Sequence, residues 1–182
     1  RTRLARAADL HLQPRLGTDI PLVNGMLHAI FAHGWEDRAY LAGRCENEAA
    51  LRAAVAAWTP DEAARVTGIP APSIVEAARL YAKSRRAFLA YGLGVTQHVS
   101  GTENVIALSN LALVTGNVGL EGGGINPLRG QNNVQGACDM GALPDVYTGY
   151  QAVDDAAART CFEAAWGTAL PSAPGLTSLA MQ

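Results

Sequence analysis

The chain has 182 residues, of which 49% are hydrophobic and 16% charged, and its formal net charge is -2. This length suits one ordinary domain, or one domain and part of a second, with enough apolar residues for a sizeable core. The mixed, nearly balanced charge excludes the basic surface that nucleic acid or an anionic membrane requires, and no apolar run is long enough to span a bilayer.

The first part of the chain predicts the approach to a strand and then a helix. Residues 7–12, Ala-Ala-Asp-Leu-His-Leu, are typical of a short strand or of the segment leading into one. A helix is predicted to begin at the N-cap candidate Gly17-Thr18-Asp19 and to end at Gly34, which suits the C′ position. Its apolar stripe recurs at helical spacing, at Leu22, Met26 and Ile30.

Three more helices are predicted between residues 46 and 86. The first covers residues 46–58. The second begins at Thr59-Pro60-Asp61-Glu62, because the threonine can cap, proline suits the first helical position and the glutamate completes a capping box, and it ends at Gly68. The third begins at Pro70-Ala71-Pro72 and ends at Ser84-Arg85-Arg86, where cations lie near the negative end of the helix.

A strand and a second buried helix follow. Residues 87–91, Ala-Phe-Leu-Ala-Tyr, predict a buried parallel strand, and residues 92–101 a loop. Ser100-Gly101-Thr102-Glu103 is a second candidate capping box, and the helix that it begins is predicted to end at Gly116. The order helix, strand, helix predicts an α/β fold: a Rossmann-like parallel-sheet layer with flanking helices, which we expect to be incomplete because the strand expected before Arg1 is cut off.

The segment from Asn117 to about Tyr150 is rich in glycine, asparagine and glutamine and has no periodicity. A structureless segment of this length inside a compact domain is usually functional, so we predict a glycine-rich functional loop here. Residues 154–166 predict one more amphipathic helix, at the start of a second α/β domain, and the residues after it a loop.

The three cysteines, Cys45, Cys138 and Cys161, form no Cys-x-x-Cys pair. Neither a zinc site nor an iron–sulfur site is therefore indicated, and the odd, scattered set argues against a disulfide framework. We expect small buried or half-buried thiols.

Two glycine-bearing segments are candidate ligand sites. The turn Gly92-Leu93-Gly94 follows a predicted parallel strand, where ligands of open α/β sheets bind, but Gln97 replaces the third glycine of the dinucleotide fingerprint. The alternative interpretation is a tight strand-to-helix turn. For Gly17-Thr18-Asp19 the alternatives are a helix cap and a carboxylate that binds a guanidine-like edge, such as that of guanine.

The segment around Arg129 crowds hydrogen-bonding side chains together, and Arg129 carries the one charge among them. Its planar guanidinium can bind a carboxylate with two parallel hydrogen bonds, and the neighbouring glycines allow tight backbone paths. The alternative is a surface loop with a solvated arginine. The polar side chains of this segment belong to Asn126, Arg129, Gln131, Asn132, Asn133 and Gln135.

The run from Asn126 to Asp145, together with Gly149-Tyr150-Gln151, resembles the active-site loop of the molybdenum- or tungsten-dependent formate dehydrogenases. Segments further upstream resemble the wider molybdopterin oxidoreductase superfamily, so that the resemblance extends over about residues 1–151. These upstream segments are Ala7–Leu12, Gly17–Asp19, Gly92–Gln97 and Leu111–Gly119.

The resemblance implies a role for each matching residue. Arg129 would anchor the formate carboxylate beside the metal. The residues implied to hold a guanine end are Gly17, Thr18 and Asp19; those implied to line a pterin or pyrophosphate are Leu93, Gly94, Gln97 and His98; and those implied to lie against the cofactor are Gly130 and Gln131. Two positions depart from the family pattern, since Leu93 stands where methionine is common and His98 where the family varies.

The resemblance also implies the cofactors and the domain organisation. The parent protein would carry a bis-molybdopterin guanine dinucleotide with molybdenum or tungsten, and a 4Fe–4S cluster. We expect residues 1–131 to belong to a domain that binds a molybdopterin guanine dinucleotide, and residues 132–182 to start the adjoining domain. The metal-ligating cysteine or selenocysteine and the cluster cysteines would lie upstream, so this chain names no metal ligand and should be inactive alone.

The implied substrate pair is formate and carbon dioxide, and the implied partners are iron–sulfur or flavin redox subunits. We expect neither nucleic acid binding nor direct membrane insertion, and a cytoplasmic location. Three alternatives stay open: another superfamily member of nitrate or arsenite type, a non-catalytic scaffold of the kind found in respiratory complex I, and a plain Rossmann-type nucleotide binder.

Overall fold

The computed structural model describes residues 2–182, and the chain divides into two units, Arg1–Leu128 and Arg129–Gln182. The helices of the first unit are α1 (Arg3–Ala7), α2 (Asp19–Ala32), α3 (Arg38–Arg44), α4 (Glu48–Val55), α5 (Pro60–Thr67), α6 (Ala71–Lys83), α7 (Leu93–Thr96) and α8 (Gly101–Val114). Its strands are β1 (Phe88–Tyr91) and β2 (Gly124–Pro127). The predicted parallel pairing is confirmed: β1 pairs with β2, with Phe88 opposite Gly124.

Helix α2 forms the centre of the first unit. It packs against α4, α5, α6 and α8, and Leu27 and Ile30 are fully buried. Such a helix needs apolar or small residues on nearly every face. At Gly25 the backbones of α2 and α5 come so close that an added Cβ would lie 2.6 Å from the Cβ of Ala63.

The ends of several helices follow the sequence signals. Thr59 accepts a hydrogen bond on its side-chain oxygen from the Glu62 amide at 3.2 Å, so the predicted start of α5 is confirmed. Gly68 ends α5 in the left-handed region with φ 77°. The prediction of a second capping box was wrong, because the Ser100 side chain makes no capping hydrogen bond to α8. The left-handed Gly116, with φ 67°, nevertheless follows that helix as predicted.

Other predictions need correction. Residues 7–12 form no strand, because the chain is helical over Arg3–Ala7 and then irregular. Helix α3 was not predicted, since its seven residues are too short for a periodic stripe. Strand β1 is not buried, and Phe88 is 58% exposed. The segment 117–150, expected to lack structure, contains β2 and parts of the second unit.

A buried carboxylate joins two of the short helices. Glu36 accepts hydrogen bonds from Arg52 at 3.0 Å and from Arg38 at 3.1 Å, and only 1% of its side chain is exposed. Burial by itself raises the pKa of Glu36, but hydrogen bonds from its own backbone N–H and from the two arginines outweigh this and lower the pKa below its usual value. The group therefore stays ionised and ties the start of α3 to α4.

The second unit contains α9 (Val134–Asp139), β3 (Val146–Tyr147), β4 (Gln151–Ala152) and α10 (Ala156–Trp166). The two strands pair antiparallel, and Tyr147, Val153 and Ala158 form a small core with Phe162 and Leu170. Asp155 caps α10 by accepting from the Ala157 amide at 2.8 Å. The predicted C-terminal helix is confirmed, whereas the wider α/β domain that it would start stays a prediction.

The remaining sequence predictions fall into two groups. Cys45 and Cys138 are half-buried as expected, but Cys161 is exposed. Assignment of residues 1–131 and 132–182 to a dinucleotide-binding and an adjoining domain stays a prediction, as does the full Rossmann-like layering. No helix within residues 2–182 has the length and hydropathy needed to cross a membrane.

Replacing Gly25 with alanine should lower the free energy of unfolding by about 1–3 kcal/mol, because the added methyl group overpacks the contact between α2 and α5. Gly43→Ala is the matched control. Gly43 lies in α3 with open space around it, so alanine should be neutral or stabilise by about 0.5–1 kcal/mol through helix propensity. Thermal or denaturant unfolding of the parent protein measures both, and equal effects would contradict the close approach.

Candidate functional site

A cavity of about 370 Å³ lies in the first unit between the beginning of α2, strand β1 and helix α8. It is large enough for a ring system of a small ligand. Most of its wall is apolar, and its polar side chains include Asp19 and Asn104. Val95 also lines it, so the cavity brings together the segment of Asp19 and the loop of Gly92–His98, which the sequence predicted separately as ligand sites.

Local hydrogen bonds place Asp19 at this cavity. Gly17 has φ 75°, a left-handed conformation that glycine adopts without strain, and it turns the chain into α2. The Thr18 side chain does not cap the helix; its hydroxyl donates to the Arg15 carbonyl at 2.6 Å. Arg15 in turn donates to the carbonyls of Arg65 and Val66 at the end of α5. The half-buried Asp19 is thus the first residue of α2.

The loop after β1 is held by a buried amide that sequence reasoning missed. Asn104, only 3% exposed, donates from its side chain to the Val95 carbonyl at 2.8 Å. The sequence contained a signal for this contact: Asn104 lies on the apolar face of α8, in line with Ala107 and Leu111. A buried asparagine in such a position needs a polar partner. A Cβ on Gly101 would overlap the Thr96 carbonyl oxygen, so the loop packs directly on the beginning of α8.

The other predicted residues of this loop lie on its exposed surface. Leu93, Gly94, Gln97 and His98 are all exposed, and Val95 is the loop residue that lines the cavity. One ring nitrogen of His98, Nε2, lies 2.8 Å from the Gly94 carbonyl oxygen, which closes the loop on itself. An added Cβ on Gly94 would meet open space, so its backbone is accessible to a ligand.

In the second unit, Arg129, Gly130 and Gln131 are exposed at its beginning. Within residues 2–182, the Arg129 guanidinium has neither an ion pair nor a side-chain hydrogen bond, although ion pairs form at Arg38, Arg52, Arg65 and Arg79. Its hydrogen-bonding edge is therefore available to an external anion.

Tyr150 is a further residue of this region that the sequence did not single out as a candidate. Its pKa is raised, first by the nearby Asp139 carboxylate and then by partial loss of water. Nearby Cys138 adds to this increase, whereas the positive charge of Arg129 opposes it. These three side chains of the second unit therefore lie within electrostatic reach of Tyr150.

Metal ligation is not apparent in the described part of the chain. Within residues 2–182, no three side chains of histidine, cysteine, aspartate or glutamate come together in a way that could hold a metal ion. The residues above can bind organic or anionic groups, and a metal would need ligands from elsewhere.

Comparisons with known proteins found one matching family and several similar relatives. The sequence model of one family, described as molybdopterin oxidoreductase, matches residues 1–180. Formate dehydrogenase H of Escherichia coli (strain K12) is 47% identical over 172 residues, which are 94% of this chain and 24% of that protein. The F420-dependent formate dehydrogenase subunit alpha of Methanocaldococcus jannaschii is 44% identical over 177 residues, 97% of this chain and 26% of the relative.

The chain thus spans about a quarter of the length of these curated relatives. Among solved structures, acetylene hydratase from Pelobacter acetylenicus is similar, with a TM-score of 0.63 and 26% identity over 65% of this chain and 16% of that protein.

The variant Asn104→Ala should loosen the loop of Gly92–His98, because the Val95 carbonyl loses its donor. The free energy of unfolding should fall by about 1–3 kcal/mol. Hydrogen exchange of the parent protein should show faster exchange of amides in residues 93–98. Asn110→Ala is the control, since Asn110 lies on the same helix and, in the described chain, makes no side-chain hydrogen bond. Unchanged exchange in the first variant would contradict the role of Asn104.

Proposed function

Because the chain belongs to the molybdopterin oxidoreductase family, we propose that it is part of the catalytic subunit of an enzyme that oxidises formate to carbon dioxide, or catalyses the reverse reaction. Membership of this family implies a molybdopterin cofactor. The observation that carries the choice of formate is the exposed Arg129, unpaired within residues 2–182, in a chain of which 94% matches a formate dehydrogenase. The relatives described above are named as formate dehydrogenases, which does not favour an oxidoreductase of nitrate or arsenite type or a scaffold of complex I type.

Arg129 supplies the substrate anchor in this proposal. A guanidinium presents two parallel N–H donors, which match the two oxygens of a carboxylate. Held in this way, formate has its C–H bond directed away from the guanidinium, and its position is fixed before reaction. Oxidation releases carbon dioxide, one proton and two electrons, and the bound cofactor centre would supply the electron acceptor.

We propose that the cavity of the first unit holds part of the cofactor. Its apolar walls suit a flat ring, and the Asp19 carboxylate offers two acceptor oxygens to the N–H donors of a guanine edge. Gly17 and Thr18 would position this carboxylate. Along the exposed loop, pterin or pyrophosphate contacts are proposed for Leu93, Gly94, Gln97 and His98. Gly130 and Gln131 are proposed to lie against the cofactor beside Arg129.

Finer features of the parent protein are also proposals. They are the bis-guanine dinucleotide form of the cofactor, molybdenum or tungsten as its metal, a 4Fe–4S cluster, a cysteine or selenocysteine ligand outside residues 1–182, and iron–sulfur or flavin partner subunits. They rest on the resemblance to the formate dehydrogenases, and relatives named as formate dehydrogenases support that resemblance. A cytoplasmic location stays a prediction.

Arg129→Lys in the parent protein should reduce kcat/KM for formate by about 100-fold or more, because one ammonium group cannot reproduce the two-donor fork. Steady-state kinetics with formate measures this. Arg85→Lys is the matched control, because Arg85 is exposed and has no ion pair within residues 2–182. A kcat/KM near normal in Arg129→Lys, at equal cofactor content, would refute the proposed anchor.

Asp19→Asn should lower the cofactor content of the purified parent protein. An amide replaces one acceptor oxygen with a donor and removes the charge that strengthens hydrogen bonds to guanine N–H groups, a loss of about 1.5–3 kcal/mol. The guanine nucleotide released on denaturation can be quantified by chromatography. Asp61→Asn is the control, because Asp61 also lies in the first turn of a helix but is exposed. Full cofactor content in Asp19→Asn would exclude the guanine contact.

A further inference from the structure

The cavity of the first unit has a deeply buried polar group in its wall. Asn104 is 3% exposed and lines the cavity. Leu108 and Leu111 follow it by one and two turns on the same face of α8, and both line the cavity as well. The Asn104 side chain is therefore part of a mostly apolar wall, where a polar group without a partner is unfavourable.

The protein uses only part of the Asn104 carboxamide. One N–H donates to the Val95 carbonyl at 2.8 Å. An amide side chain has two N–H donors and an acceptor oxygen, so one N–H and Oδ1 remain without a partner within residues 2–182. Oδ1 is also not among the unpaired side-chain atoms of the described chain that are sealed from solvent. A molecule in the cavity can therefore reach a free acceptor.

The Val95 carbonyl also fixes the orientation of this amide. An asparagine side chain can rotate by half a turn, which exchanges its oxygen and its nitrogen. Here the exchange would bring Oδ1 against the Val95 carbonyl oxygen, and two acceptors repel each other. Oδ1 and the free N–H therefore keep their places in the wall, and the amide offers a single order of acceptor and donor.

A fixed amide of this kind distinguishes two classes of heterocycle. Guanine and pterin carry a keto oxygen next to a ring N–H, and this edge can pair with the free N–H and the Oδ1 of an amide. Adenine has the reverse order, with a donor amino group where guanine has its keto oxygen and an acceptor nitrogen beside it. The same amide would therefore meet adenine with donor against donor and acceptor against acceptor.

We infer that Asn104 is a specificity-determining residue of the cavity, whose fixed carboxamide binds the keto and N–H edge of a guanine or pterin ring. This role rests on the proposed function for the presence of such a ring. It adds a second contact to the proposed one of Asp19, whose carboxylate would then accept from the exocyclic amino group of the same ring. The hydrogen bond to Val95 makes the loop of Gly92–His98 part of this recognition.

Binding of purine mononucleotides to the cofactor-free, full-length parent protein tests this role. GMP has the keto and N–H edge and the amino group at C2, IMP has only the edge, and AMP has neither. The unaltered protein should bind GMP more tightly than IMP. It should bind IMP about tenfold more tightly than AMP, since AMP loses both hydrogen bonds to the amide. Titration calorimetry measures the three dissociation constants.

In Asn104→Leu the preference for IMP over AMP should fall below about twofold, while the preference for GMP over IMP remains. Asp19→Asn should do the opposite. A merely structural role of Asn104 predicts another result, because a loosened loop weakens binding of all three nucleotides by a similar factor. Asn104→Ala repeats the test with a smaller side chain. Asn110→Leu is the matched control, because Asn110 lies on the same helix but does not line this cavity.

Free pterin carries the same edge and is titrated into the same variants. The ring that loses at least about fivefold more affinity than AMP in Asn104→Leu is the one that Asn104 recognises. The role of Asn104 is overturned if neither GMP nor pterin shows this loss, and that result leaves the proposed oxidation of formate standing. A normal kcat/KM in Arg129→Lys, by contrast, would refute the proposed substrate anchor without changing the ratios between the nucleotides.

Discussion

The burial of helix α2 on nearly all sides is the constraint on which the first unit depends. Four other helices pack around it, and at Gly25 there is no room even for a methyl group. A helix enclosed in this way cannot shift or rotate without opening the core that includes Leu27 and Ile30. Its first residue, the half-buried Asp19, lies at the rim of a cavity.

Hydrogen bonds from two polar side chains hold the segments on either side of this cavity. The Arg15 side chain joins the entry of α2 to the end of α5, and the buried Asn104 amide holds the Val95 carbonyl. Each hydrogen bond satisfies a carbonyl that a helix or loop would otherwise leave open. The two segments are thus held by hydrogen bonds from different helices, and a cavity that is ordered before binding lowers the ordering cost of binding a ligand.

The second unit carries an exposed cation. Within residues 2–182, the Arg129 guanidinium forms no ion pair, and it lies at the beginning of this unit. A guanidinium in this state can present two parallel N–H donors to an anion. The same unit contains Tyr150 with φ 59°, a conformation that is rare for an aromatic residue. Backbone strain of this kind often accompanies functional sites.

The sequence by itself determined the parts whose signals are local. The stripe of α2, the Thr59 cap and the glycine that ends α5 depend on residues a few positions apart, and the parallel pairing of β1 follows from the order of elements. The resemblance located the candidate residues in the same way, by short motifs such as the one around Arg129. What these signals share is that their physical cause lies within one or two helical turns.

Only the tertiary structure decided which distant residues meet. That Asp19 and Val95 line one cavity, that Asn104 holds the loop and that the Gly149 amide donates to the Asp139 carbonyl depend on how separate elements pack, and packing leaves no fixed spacing in the chain. The failed prediction of a capping box at Ser100 has the same reason. The Ser100 motif has the residues of a capping box, yet the loop that packs against Gly101 sets the backbone there.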